Sequence, residues 1–168
     1  MSSRACILVS ACLLGAPVRY NATARTVESE LLERGTDEGR IVPVCPEVSG
    51  GLGTPRPPAE TSGGDGVMVL NGTARVVANT GADVTDAFVA GARHAVWLAR
   101  EHGARVAVLK SNSPSCGTGW IYDGTFSGTR VAGFGVAAAA LKAAGVQVFD
   151  ETQIAEADAA VVALDSLE

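Results

Sequence analysis

The sequence predicts an α/β fold: a Rossmann-like, mainly parallel sheet with helices on both faces and a small β-hairpin insertion. Three observations predict it. Four short runs rich in β-branched residues, 6–10 (CILVS), 41–44 (IVPV), 106–109 (VAVL) and 146–149 (VQVF), are apolar enough for strands covered on both sides. Helical periodicity separates most of them, and right-handed crossovers between parallel strands put the intervening helices on both faces. The composition, 47% hydrophobic and 18% charged with 20 glycines, supplies a core and excludes a disordered chain.

Taken in order, the strand at 6–10 is followed by a short helical pattern at about 28–34 and the strand at 41–44. Residues 45–60, CPEVSGGLGTPRPPAE, read as a long, nearly structureless loop, and loops of that length in compact domains are usually functional or disordered. In the stretch 67–79, VMVL and TARVVAN flank Asn71-Gly72, the strongest short signal for a two-residue hairpin turn. The clearest helix spans about 83–102, with Val84, Phe88, Ala92, Ala95, Val96 and Ala99 on one face and Gly103 as its stop. After the strand at 106–109, helices at about 135–144 and 151–166 enclose the last strand. The chain has no internal repeat, and 168 residues suit one domain, 1–168, able to bury about 70% of its unfolded surface.

The net charge is -5, Lys110 and Lys142 are the only lysines, and no basic run tracks a nucleic-acid backbone. A small-molecule substrate is expected over a large polyanion. The N-terminal apolar run is broken by Ser10 and Gly15, and no stretch approaches the ~18 apolar residues of a membrane helix. A cytoplasmic protein without a membrane segment is therefore expected, its cysteines reduced unless a metal holds them.

Cys12, Cys45 and Cys116 each follow a predicted strand, and in open α/β sheets ligands collect beyond the carboxyl ends of the strands. Each lies in loop sequence, SACLLG, CPEVSGGL and NSPSCGTG, whose turn formers let backbone N–H groups approach a ligand. One such cysteine alone would suggest core packing; three at one sheet edge suggest a metal site. Cys6 sits inside the first strand as a small hydrophobe and is left out. Sulfur ligands select zinc or iron–sulfur, and structural zinc usually takes four ligands from paired C-x-x-C clusters, absent here. His94 and His102 lie on the long helix and read as surface residues. Three thiolates suit a four-iron cluster with one open iron, where a substrate could bind.

Glu47, two residues past Cys45, is placed to act as a general base there, or to cap a nearby helix N-terminus. Arg56 and Glu60 could pair to brace the loop. In LKSNSPSCG the side chains of Ser111, Asn112 and Ser113 can orient a polar substrate or a water, with Ser113 the first choice for an assisting role. Lys110 could neutralise cluster charge or point into solvent. No G-x-S-x-G elbow or P-loop accompanies these residues.

Together SACLLGAPVRYN, VCPEVSGGLGTPRPPAE and LKSNSPSCG resemble the signature stretches of the thiouracil desulfidase family, over about residues 5–148. The resemblance implies a 4Fe-4S cluster held by Cys12, Cys45 and Cys116, its fourth iron free of protein ligands. Glu47 and Ser113 fall at positions associated with catalysis. It also implies non-redox chemistry: a thiocarbonyl sulfur on the open iron, water activated by Glu47, and hydrosulfide leaving. Longer members carry a second domain associated with thiolated tRNA; this chain's length favours a thiolated free base, nucleoside or nucleotide. Two other readings remain, a cluster or sulfide carrier without turnover and a structural three-cysteine zinc protein.

Overall fold

The structure, a computed structural model, describes residues 4–167. In chain order the elements are β1 (Ile7–Ser10), a turn of 3-10 helix (Ala11–Leu14), α1 (Glu30–Asp37), β2 (Ile41–Val44) and α2 (Pro46–Ser49). Then come β3 (Ala59–Ser62), α3 (Gly66–Leu70), β4 (Arg75–Ala78), α4 (Thr85–His102), β5 (Val106–Leu109), β6 (Trp120–Tyr122) and β7 (Arg130–Ala132). The chain closes with α5 (Val136–Ala143), β8 (Gln147–Asp150) and α6 (Ile154–Asp165).

The four buried runs form one parallel sheet in the order β2-β1-β5-β8. Ile7 pairs with Ile41 on one side and Val106 on the other, so alternate residues of these strands point to the same face. Leu8, Val42, Val44, Ala107 and Leu109 pack on one face with Phe88, Ala92, Ala95 and Ala99 of α4 and with Val136 and Leu141 of α5. Ile7, Val9, Val106 and Val108 face the other way, against Leu31 and Leu32 of α1 and Ala157 and Val161 of α6. Both faces of the central strands β1 and β5 are thus buried, which is why their sequences show no polar alternation, while the edge strands β2 and β8 each expose a residue, Pro43 and Gln147.

Helix ends follow local chemistry. Ser29 caps α1 by accepting from the Leu32 N–H at 3.5 Å, and Gly103, at φ 64, ends α4 in the left-handed conformation that a β-carbon disfavours.

Four expectations are corrected. Residues 67–70 are helical, because the Asp65 carboxylate accepts from the Val67 and Met68 N–H groups at 3.1 and 3.5 Å and starts α3. Gly72, at φ 82, ends that helix with its N–H on the Val69 carbonyl. A glycine with positive φ serves a helix end as readily as a hairpin turn, and the upstream cap decides between them. The antiparallel pair exists, but β4 joins β3, with Ala59 opposite Ala78. Residues 45–60 are not structureless, since α2 occupies their start and β3 takes their last two residues. Arg56 pairs with Glu47 and not with Glu60, whose carboxylate instead accepts from the Gly124 and Phe126 N–H groups. Cys6 precedes β1 and is half-buried. The short pair β6-β7 had no sequence signal strong enough to predict it.

Candidate functional site

β1 lies between β2 and β5, so the chain leaves it toward one side and the sheet continues on the other, the arrangement that opens a crevice at the carboxyl ends. Cys12 sits in the 3-10 turn directly after β1, Cys45 is the residue before α2, and Cys116 lies in the turn after β5. All three line one cavity of about 450 Å³, together with Glu47, Ser111, Asn112 and Ser113. Every residue singled out for the site is therefore brought to one place.

The loops carrying the cysteines are clamped. A β-carbon at Gly91 of α4 would stand 1.9 Å from the Pro46 carbonyl oxygen, and one at Gly50 would stand 1.9 Å from that of Ala87. Only two glycines let the backbone of α2 lie directly on α4, which sets Cys45 and Glu47 at the cavity. On the other side, the N-terminus of α5 takes up the Cys116 loop: the Ala137 and Ala138 N–H groups donate to the Ser115 carbonyl at 2.8 and 3.1 Å. Gly135 presses on the same peptide, where a β-carbon would come within 2.5 Å of the Ser115 carbonyl carbon.

Cys12 and Cys116 are buried and Cys45 half-buried, and all four cysteines of the chain are free thiols. Burial pushes the Cys12 thiol up, and the neighbouring Cys45 adds to it. Cys45 is raised by burial as well, with the Glu47 carboxylate contributing. Burial drives Cys116 up to about 12, against hydrogen bonds from Ser10 and Ser115, while Cys12 raises it further. Two buried thiols and a half-buried one, their pKa values raised in part by mutual repulsion, form a soft donor set that a positively charged metal centre would compensate. Among the described residues, no group of three His, Cys, Asp or Glu side chains is arranged to hold a single metal ion. His94 is half-buried and stacks on Trp97 at 5.8 Å, and His102 is exposed at the far end of the same helix.

Glu47 is held at both oxygens. Oε1 accepts from Arg56 Nε at 3.1 Å and Oε2 from Ser115 Oγ at 2.9 Å. A carboxylate only accepts, so Ser115 spends its proton there and its oxygen takes the hydroxyl of Ser113, 2.9 Å away. The result is a directed chain, Ser113 to Ser115 to Glu47. Arg56 also donates to the Val18 carbonyl at 3.0 Å, tying the loop after β2 to the loop after β1.

Ser115, only 1% exposed, is a residue the sequence reading missed, as are Ser10 and Glu151. Ser10 ends β1, donates to Cys116 Sγ at 3.4 Å and accepts the Lys110 N–H at 3.0 Å. Glu151 accepts from the Ser111 N–H at 2.9 Å and from its hydroxyl, and Lys110 pairs with the same carboxylate at 3.4 Å. Lys110 is thus half-buried and held in an ion pair instead of extending into solvent. Asn112, at φ 62, accepts from Arg130 at 3.3 Å.

The model of the 2-thiouracil desulfurase family matches residues 7–153. The chain belongs to this family. A Bacillus subtilis (strain 168) relative, the uncharacterised protein YbbK, is 49% identical over 148 residues, 88% of this chain and 97% of that protein. A solved structure described as the [4Fe-4S]-dependent thiouracil desulfidase TudS superposes with a TM-score of 0.87 at 45% identity, covering 95% of this chain and 99% of that one. The α/β architecture and the family resemblance of the three motifs therefore stand. Among the described residues, no helix is long and apolar enough to cross a membrane.

Proposed function

We propose that this desulfurase-family chain is a 4Fe-4S-dependent, non-redox desulfidase acting on a thiolated pyrimidine, as free base, nucleoside or nucleotide. One thiocarbonyl and one water become a carbonyl and hydrogen sulfide, released as hydrosulfide, with no net electron transfer. The observation that carries this reading is the convergence of three free thiols on one cavity whose wall holds a carboxylate fixed at both oxygens. The cluster described for TudS supports the cofactor.

Cys12, Cys45 and Cys116 would hold the cluster, leaving one iron without a protein ligand. When bound, it supplies a Lewis acid that polarises a carbon–sulfur bond. Glu47 removes a proton from the attacking water, and Arg56 keeps the carboxylate oriented for that transfer. Once Glu47 carries the water's proton the chain reverses: the Ser115 hydroxyl turns to accept from Glu47 and to donate to Ser113, and Ser113 gives its own proton to a ring atom or the departing sulfur, each hydroxyl regaining one from its neighbour. Asn112 leaves its N–H2 to donate to a ring acceptor, while Ser111 is occupied by Glu151 and shapes the wall. A cavity of about 450 Å³ lies in the size range of small-molecule sites, which suits a base or nucleotide. A reducing cytoplasm is the compartment in which such thiols persist.

Anaerobic purification with iron and sulfide analysis, followed by turnover of 2-thiouracil, tests the proposal. About four irons and four labile sulfides per chain are expected; stoichiometric zinc would overturn it. Glu47→Ala should retain the cluster and lose turnover by roughly a hundredfold or more. Full turnover in that variant would remove Glu47 as the base, and sulfide transfer without turnover in the wild type would mark a carrier.

A further inference from the structure

The turn between β6 and β7 is built more rigidly than a surface connection requires. Asp123 Oδ1 accepts from the Thr125 N–H at 2.9 Å and its hydroxyl at 2.6 Å. Glu60 of β3 takes the Gly124 and Phe126 N–H groups on one oxygen, at 3.0 and 3.1 Å. Gly124 is seated so closely that a β-carbon there would meet the Thr61 carbonyl oxygen at 2.7 Å. This turn forms part of the wall of the cavity that holds the three cysteines, through Phe126 and Gly128.

Within it Phe126 stands at φ 55, a left-handed backbone in which a bulky side chain is an outlier. Glycine or asparagine would make the same turn with less strain, so the ring is not there to form it. Nor does core packing offset the strain: Phe126 belongs to neither hydrophobic cluster and keeps 39% of its surface exposed. Strained, over-determined residues of this kind concentrate at ligand clamps. An aromatic face held rigidly in a cavity wall is the platform on which flat heterocycles stack, whatever their hydrogen-bonding pattern.

We infer that Phe126 is a substrate-binding residue, stacking on the planar ring of the thio-heterocycle and selecting such rings over flexible thioamides. The inference rests on the desulfidase reading above. Stacking acts on ground state and transition state alike, so its loss falls on KM more than on kcat.

The test uses the cluster-loaded full chain and the variants Phe126→Ala, Phe126→Gly and Phe126→Tyr, with 2-thiouracil as substrate and uracil as equilibrium ligand. Phe126→Ala and Phe126→Gly should raise the KM for 2-thiouracil and the Kd for uracil about tenfold. Phe126→Tyr should restore both. The melting temperature of Phe126→Gly should equal or exceed that of the wild type, because the strain is relieved. Unchanged KM and Kd in Phe126→Ala, beside an active wild type, would overturn the stacking role and leave the desulfidase reading standing. A lowered melting temperature in Phe126→Gly would make the ring structural and also overturn it. A fully loaded wild type that turns over no 2-thiouracil would bring down the desulfidase reading and the stacking role with it.

Discussion

Ser115 is the residue on which the geometry of the reacting groups depends. Its hydroxyl is the only link between Glu47 and Ser113 in the hydrogen-bonded chain described above. Ser115→Ala removes a donor from Glu47 and a long, 3.6 Å contact to Cys116 Sγ, an atom that Ser10 also contacts, while every cysteine stays in place. Iron content should stay near the wild-type level while kcat falls roughly ten- to a hundredfold and KM changes little. Stability should fall by about 1–2 kcal/mol, since a partly buried carboxylate oxygen loses its partner. Parallel loss of iron would show instead that the hydroxyl builds the cysteine loop. The sequence made Ser113 the first choice among the polar side chains before Cys116 that could orient a substrate or a water; it could not show that the Ser115 oxygen points at Glu47, 68 residues away along the chain.

At the scale of elements, the contact that matters most joins α2 to α4. α2 spans four residues, too few to be stable alone, so its position comes from packing against α4. Gly91→Ala places a methyl where the Pro46 backbone lies, and backbone cannot yield as a flexible side chain does. The expected cost is about 2–3 kcal/mol, a fall in melting temperature of roughly 5–10 °C. Cys45 and Glu47 flank the displaced Pro46, so iron binding and turnover should fall together. Calorimetry with iron analysis on the same sample checks both, and an unchanged melting temperature would show that α2 is not held this way. The helix face of α4 was legible as a 3.6-residue period; the role of Gly91 emerges only where the structure sets the Pro46 backbone against it.

Across the whole molecule, Glu151 ties the segment between β8 and the terminal helix α6 to the loop after β5. Burial opposes its ionisation, but the Ser111 hydroxyl and N–H and the Lys110 ammonium outweigh it and hold the carboxyl below its usual range. A carboxyl depressed by folding contributes stability that is fully present above its unfolded pKa, near 4.3, and is lost as pH falls through the lower folded value. Glu151→Gln should therefore lower the melting temperature near neutral pH and flatten its decline below about pH 4. A variant whose acid limb matches that of the wild type would show that the pairing does not contribute. What the sequence by itself determined were the features governed by local or periodic rules: the four buried strands, the long helix with its glycine stop, and three cysteines each placed just past a strand. Tertiary structure alone decided which strand β4 joins, that Arg56 turns to Glu47 and not to Glu60, and that Ser115 and Glu151 reach the site. Those outcomes are contacts between distant segments, settled by which backbones can approach closely enough, and no period or turn signal in a single stretch of chain carries that information.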